Sequence, residues 1–156
     1  ERGHAVLVVP YDPVRDEVVL IEQFRIGPFA RGDQPWCLEV VAGGIEEGEE
    51  LEDVVRREAM EEASIELDNI THALDCFTSP GAVSEHISIY CARTDAATAG
   101  GVHGLAEEGE DIKVVVMPCA DVMAALDDGR INAAPAIVAL QWLALHREQI
   151  RRQWLD

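Results

Sequence analysis

Three glutamates, Glu58, Glu61 and Glu62, have the residue type and spacing to do chemistry. Glu58 and Glu62 are four apart, so on a helix their side chains share one face, and Glu61, three from Glu58, borders it. Hard carboxylate oxygens converging on one face suit Mg2+ or Mn2+. A solvated acidic helix face would carry the same residues. Nine acids lie between positions 46 and 62, and Arg56 and Arg57 offset them only in part. Like charges this close repel by a few tenths of a kcal/mol per pair. Glu49 and Glu50, near the helix start, are favoured by the backbone dipole; Glu58, Glu61 and Glu62, in the last turns, are not.

The elements that must position these acids are legible in the pattern. Leu51, Val54, Val55 and Ala59 recur at helical spacing and predict a helix over 50–63 with one apolar face. Ahead of it, 4–10 and 17–24 read as two arms of a hairpin joined by a turn from Tyr11 to Asp16. Residues 27–35 read as a loop, and 36–41 as a strand stopped by Gly43-Gly44. Three more strands are predicted at 70–78, 86–93 and 112–118. Between the last two, 94–111 is acidic, holds four glycines and has no apolar period; loops this long in a compact domain are often functional. Helices over about 120–128, ending at Gly129, and over about 135–153, starting at Pro135, close the chain. The pattern predicts an α/β chain of α+β type: a mixed sheet flanked by helices.

Composition bounds the function. The chain has 156 residues, a formal charge of −18 from 12 basic and 30 acidic residues, and 48% apolar residues. That length fits one domain, 1–156, and that apolar fraction excludes full disorder. A surface this acidic repels nucleic-acid phosphate and anionic membranes, and an anionic ligand would need metal ions to mediate. No apolar run is long enough for a membrane helix and no secretory signal is visible, so a cytoplasmic location is expected. Cys37, Cys76, Cys91 and Cys119 have no metal-ligand spacing and read as reduced, buried filler. Trp36 and Trp142 read as core residues, and His4, His72, His86 and His146 have no metal spacing and receive no role.

The wider pattern around the three glutamates is specific. Gly43, then Glu49, then Arg57-Glu58, then Glu61-Glu62 match the Nudix box, GxxxxxE, seven residues, REUxEExGU, where U is a bulky aliphatic. The chain therefore resembles the Nudix hydrolases, which cleave nucleoside diphosphates linked to another moiety. It departs at Ala59, a smaller U residue, and at Ser64, which stands where the box has glycine and must adopt the left-handed backbone glycine supplies. Pro80, within Ser79-Pro80-Gly81, lies 16 residues beyond Ser64, an offset that resembles the ADP-ribose pyrophosphatase subgroup. WCLEVVAGG, Arg25 in EQFRI, HGLAEEGEDIK and the tail AAPAIVALQWLALHREQ extend the similarity along essentially the whole chain. That subgroup usually carries about fifty further N-terminal residues that swap across a dimer, a segment expected to be absent before Glu1.

The resemblance implies a Nudix fold, a mixed β-sheet sandwiched between helices, and it implies roles. Glu58 and Glu62 would be metal ligands, with the Ala42 carbonyl a further one and Glu61 a ligand or a partner of the base. Gly43 and Gly44 would let the backbone approach the diphosphate, and Arg57 would orient a box glutamate. Two or three Mg2+ ions, or Mn2+, would neutralise the charge and acidify a water. The general base would be Glu108 in the acidic loop, with Glu107 in reserve, and Glu110 would hold a further metal. Substrate contacts would come from Arg25, Gly44, Ser79, Pro80, Gly81 and Glu85.

The expected activity is Mg-dependent hydrolysis of ADP-ribose to AMP and ribose 5-phosphate. Another nucleoside diphosphate sugar is the alternative substrate, and a non-catalytic nucleotide-binding domain is a third reading. A homodimer is expected, with Ser79-Pro80-Gly81 reaching the partner's ligand and the apolar face of the strand around 18–24 contributing.

Overall fold

The computed structural model describes residues 3–155, the side chain of Glu108 excepted. Strand β1 (His4–Asp12) and strand β2 (Glu17–Phe24) form the expected hairpin. Its turn is organised by Asp12, 3% exposed, whose Oδ1 accepts the N–H groups of Val14 (2.9 Å) and Arg15 (3.0 Å). The two strands pair only at Tyr11–Val18 and Asp12–Glu17, then diverge. Strands β3 (Trp36–Glu39) and β4 (Val41–Gly44) fill the gap. β3 pairs antiparallel with the far half of β2, and β4 with the near half of β1. Gly43 and Gly44 do not stop the strand, as the sequence suggested; they sit opposite Val6 and Ala5 and continue it.

Strands β5 (Asp68–Phe77), β6 (His86–Arg93), β7 (Val102–His103) and β8 (Ile112–Pro118) complete one eight-stranded sheet in the order β5-β6-β1-β2-β8-β7. The β1–β6 pair is parallel and the others are antiparallel. The sheet is therefore mixed, as predicted. Helix α1 (Ile26–Arg31) falls inside the segment expected to be a loop. It buries no residue, so it left no apolar period to read; it ends at Gly32, at φ 86°. The segment 94–111 also holds more structure than expected: β7 and two 3₁₀ turns, Ala96–Thr98 and Ala106–Glu108.

Alternation along the central strands builds two cores. Val6, Val8, Val19 and Ile21 face helix α2 (Leu51–Ala63), which buries Val54, Val55, Ala59 and Ala63 against them. Leu7, Val9, Val18 and Leu20 face the opposite way, toward helices α3 (Cys119–Asp127) and α4 (Ala134–Leu155). Leu140, Leu143 and Ile150 of α4 cover the sheet. Each such buried aliphatic contributes about 1.5–3 kcal/mol relative to exposure. Arg147 and Arg151 pin α4 to the hairpin turn, donating to Asp16 Oδ2 (2.7 Å) and the Pro13 carbonyl (3.1 Å).

Two sequence expectations fail on burial. Val18, Val19, Leu20 and Ile21 are fully buried in the chain's own two cores, because β2 is interior to the sheet, so of the apolar residues of this strand Phe24 alone, 44% exposed, reaches the surface. Trp36 is 43% exposed; it opens a strand at the rim and meets Phe24 edge-on at 6.1 Å, outside the core. The four cysteines are free, as expected, with Cys37, Cys91 and Cys119 buried and Cys76 half-buried. Among the described residues no helix is long and apolar enough to cross a membrane.

Ser64 ends α2 in the left-handed region, at φ 52° and ψ 41°. Its N–H reaches the Met60 carbonyl (3.0 Å) and the Ile65 N–H reaches Ala59 (3.3 Å), so the turn glycine usually makes is formed by serine. A side chain there costs energy that glycine avoids. Ser64→Gly should stabilise the protein by about 0.5–1 kcal/mol. Urea unfolding should show a higher midpoint at unchanged m-value; a lower midpoint would contradict the strain.

Candidate active site

Helix α2 and strand β4 meet at Glu58, Glu62, Ala42 and Gly43. Glu62 is 3% exposed, and its Oε2 accepts the Ala42 N–H at 3.0 Å. Glu58 is 9% exposed and lies against Gly43 so closely that a Cβ there would overlap its carboxylate. Gly43 is thus required by the glutamate. Gly44, by contrast, has open space where a Cβ would project, which leaves its surface accessible to a ligand.

Arg57 is the counter-charge of this cluster. Its Nη1 donates to Glu58 Oε1 (2.7 Å) and Glu61 Oε2 (3.3 Å). Its Nε and Nη2 donate to the two oxygens of Glu49, each at 3.2 Å, and Nη2 also reaches the Gly44 carbonyl at 3.3 Å. One guanidinium therefore ties the start of the box, its helix and β4 together, the orienting role expected of it. Glu49 is held below its usual pKa, first by the Glu46 N–H and then by Arg57.

The acidic loop is fastened to the same helix. The Gly104 N–H donates to the Glu61 carbonyl at 3.2 Å. Glu110 folds back so that Oε2 accepts the Leu105 N–H at 3.0 Å, and a Cβ on Gly104 would meet it. Glu110 lies near enough to Glu58 and Glu62 to raise the pKa of both. Glu107 is exposed, whereas Glu108 belongs to the 3₁₀ turn Ala106–Glu108 with its side chain outside the described residues.

Burial pushes Glu58 from 4.5 up to about 7, opposed by Arg57 and reinforced by Glu61 and Glu110. Burial likewise pushes Glu62 from 4.5 up to about 8, opposed by the Ala42 N–H and reinforced by Glu58 and Glu110. Among the described residues no three His, Cys, Asp or Glu side chains are already grouped to hold a metal ion. Arg57 draws Glu58 and Glu61 to itself instead. The donor set still fits a hard divalent cation: it is all carboxylate, its two central members are buried, and their mutual repulsion disfavours ionisation without added positive charge.

β4 also forms one wall of a cleft of about 930 Å3, whose lining includes Ala42, Gly43 and Gly44, Arg25 and Glu39, and Thr78 and Glu85. The N-terminal end of α4 contributes Ala133, Pro135 and Ala136. This volume lies within the range of small-molecule sites. Arg25 donates from Nε and Nη2 to the two oxygens of Glu39, at 2.8 and 2.7 Å. It lines the cleft, but Glu39, a partner not anticipated from the sequence, takes up its fork. An acid within the strand segment WCLE was the available signal. Thr78 was missed as well, and nothing in its local sequence marks it. Ser79 does not line this cleft, and Pro80 and Gly81 line a separate shallow pocket with Phe77 and Val83.

A model of the NUDIX domain matches residues 1–143. The chain belongs to the NUDIX domain family. It is 49% identical over 154 residues to the ADP-ribose pyrophosphatase of Escherichia coli strain K12, covering 99% of this chain and 74% of that protein. The ADP-ribose pyrophosphatase of Haemophilus influenzae is 43% identical, covering 98% of this chain and 72% of that one. The GDP-mannose pyrophosphatase of Yersinia pestis is 32% identical over 94% of this chain and 73% of that protein. A solved structure described as an ADP compounds hydrolase superposes with a TM-score of 0.75 at 25% identity, over 95% of this chain and 75% of that one. The Nudix fold predicted from the box is thereby established.

The raised glutamates carry a pH consequence. Folded protein holds protons on Glu58 and Glu62 that the unfolded chain releases at about 4.5, so stability without a cation falls as pH rises from there toward about 8. Chelator-treated protein should show a melting temperature that declines across this window, and Glu62→Gln should flatten the decline. An equal decline in the variant would remove Glu62 as its source.

Proposed function

We propose that this protein hydrolyses the diphosphate of ADP-ribose to AMP and ribose 5-phosphate. The reading is supported above all by the acids of α2, with Glu62 bonded to Ala42 and Glu58 packed on Gly43, on the strand that walls a nucleotide-sized cleft. The 49% identity to an ADP-ribose pyrophosphatase supports the substrate over GDP-mannose, whose cited pyrophosphatase is 32% identical.

Glu58, Glu62 and Glu110, with Glu61 and the Ala42 carbonyl, would hold two or three Mg2+ or Mn2+ ions. Divalent cations bound there neutralise diphosphate charge and make a water more acidic. The chain's own residues do the rest. Arg57 holds Glu58 and Glu61 in place through 2.7 and 3.3 Å contacts. Gly44 leaves room for the diphosphate, and Arg25, with Glu39 engaging Nε and Nη2, directs its remaining N–H groups to a phosphate oxygen. Glu108 takes the proton of the attacking water as the new phosphorus–oxygen bond forms and the bridging one breaks. Glu85 accepts hydrogen bonds from ribose hydroxyls. Four unpaired cysteines support a cytoplasmic location.

Incubation with ADP-ribose and Mg2+ should yield AMP and ribose 5-phosphate, and a chelator should stop it. GDP-mannose turned over faster than ADP-ribose would favour the other substrate. Glu62→Gln should fold and lose nearly all turnover, whereas a kcat within about threefold of wild type would dismiss the metal site. Glu108→Gln should lower kcat by about 10²–10⁴ at little changed KM. A normal kcat there, with Glu107→Gln crippled, would move the base to Glu107.

The same reading makes the protein a homodimer in which Ser79, Pro80 and Gly81 reach the partner's ligand. Their turn is exposed and flanked by Phe77 (57% exposed) and Val83 (44% exposed). Sedimentation should give a dimer. An active monomer with undiminished kcat/KM would exclude a shared site.

A further inference from the structure

We infer that Gln23 is a positioning residue for the cation site: its buried carboxamide is the donor that holds Glu110, and with it the acidic loop, against helix α2. The inference rests on the metal reading above and adds to it a residue outside both the box and the loop.

Gln23 breaks the pattern of its own strand. On β2 it follows Val19 and Ile21 at every second position, on the face that packs against α2. A third aliphatic residue would suit that place. A carboxamide stands there instead, in a residue only 9% exposed. An amide carries two donors and an acceptor, yet among the described residues the Gln23 side chain has no hydrogen-bond partner. It is not sealed in the core either. Among the described residues Arg147 Nε alone is both fully enclosed and unpaired, so the Gln23 amide opens on to accessible space. A polar residue in an apolar slot, unpaired and open, breaks the local rule in the way residues that serve a site do.

The register of the sheet says which site. β2 pairs with β8 up to Glu22–Lys113, and the same register sets Gln23 beside Ile112, the first residue of β8, where the acidic loop ends. The start of the loop lies against the same residue. A Cβ on Gly104 would stand 3.3 Å from Ile112 Cγ1, 3.3 Å from Glu110 Oε2 and 2.7 Å from Glu110 Cβ. Glu110 is thus one strand away from Gln23. Its Oε2 accepts the Leu105 N–H, and an ionised carboxylate has a second oxygen for another donor. On the β3 side Gln23 stands opposite Cys37, and the acid of that strand, Glu39, is already taken by two nitrogens of Arg25. A neutral donor suits the place. A lysine or arginine at position 23 would compete with a cation for the carboxylates, whereas an amide N–H orients Glu110 and leaves its charge available.

Gln23→Leu removes the amide and keeps a side chain of similar bulk. Chelator-treated Gln23→Leu should melt at or above the wild-type temperature, because an unpaired buried amide is exchanged for an apolar group. Its affinity for Mn2+ without substrate, read by titration calorimetry, should fall about 10-fold, the usual scale for a group that orients a metal ligand. The Mg2+ concentration for half-maximal turnover of ADP-ribose should rise by a similar factor. Glu110→Gln should weaken Mn2+ binding as well, and the Gln23→Leu/Glu110→Gln double variant should bind no more weakly than Glu110→Gln alone, since both changes act on one contact. A lower melting temperature of the chelator-treated variant, an unchanged Mn2+ affinity, or additive losses in the double variant would each overturn the inference. Wild-type protein that binds no Mn2+ would instead overturn the metal reading beneath it.

Discussion

Two carboxylates buried where helix α2 meets strand β4 are the constraint on which the rest of this structure depends. Glu58 and Glu62 are almost wholly removed from water, and burial drives both toward their protonated forms. Ionised carboxylates stay in such a place only when donors and positive charge surround them. The Ala42 N–H serves Glu62, and Arg57 serves Glu58. Gly43 is glycine because the carboxylate of Glu58 occupies the space a side chain would need. Stability is given up here to concentrate buried carboxylates with perturbed pKa values, an arrangement that clusters at functional sites.

The fold supplies the rigidity that this arrangement needs. β1 and β2 part after two residue pairs, and β3 and β4 wedge into the opening. That insertion puts Ala42–Gly44 at the boundary between the α2 face and the cleft. Packing on both sides of the sheet then fixes it: valines and alanines of α2 on one side, α3 and α4 on the other. The acidic loop is tied to α2 by a backbone bond from Gly104 to Glu61 and closed on itself by Glu110. The Glu110 carboxylate therefore approaches those of Glu58 and Glu62 although some fifty residues separate them in the chain.

The cleft shows two ways of using a carboxylate. Glu39 is consumed in fixing Arg25, so that an arginine stands ready at a defined angle beside an acidic centre. Glu85, at the same wall, accepts a hydrogen bond from the Thr78 hydroxyl.

The family and the acidic helix face are legible in the residues alone. Glu58, Glu61 and Glu62 at helical spacing, behind Gly43 and Glu49, specify a carboxylate face, because helix periodicity is local and survives any tertiary context. Most strands and helices were legible for the same reason. Helix α1 was not, since a helix that buries nothing leaves no apolar period. Trp36 was misplaced because an aromatic residue at a strand start does not reveal whether that strand lies at a rim. Only the tertiary structure decided that Gly43 makes room for a glutamate, that Glu39 takes up the Arg25 fork, that β2 is interior, and that Thr78 donates to Glu85. Each of these is a contact between residues that are separated along the chain or turned toward one another by a loop. Their partners are set by how strands register and helices pack, and neither spacing nor residue type encodes that directly.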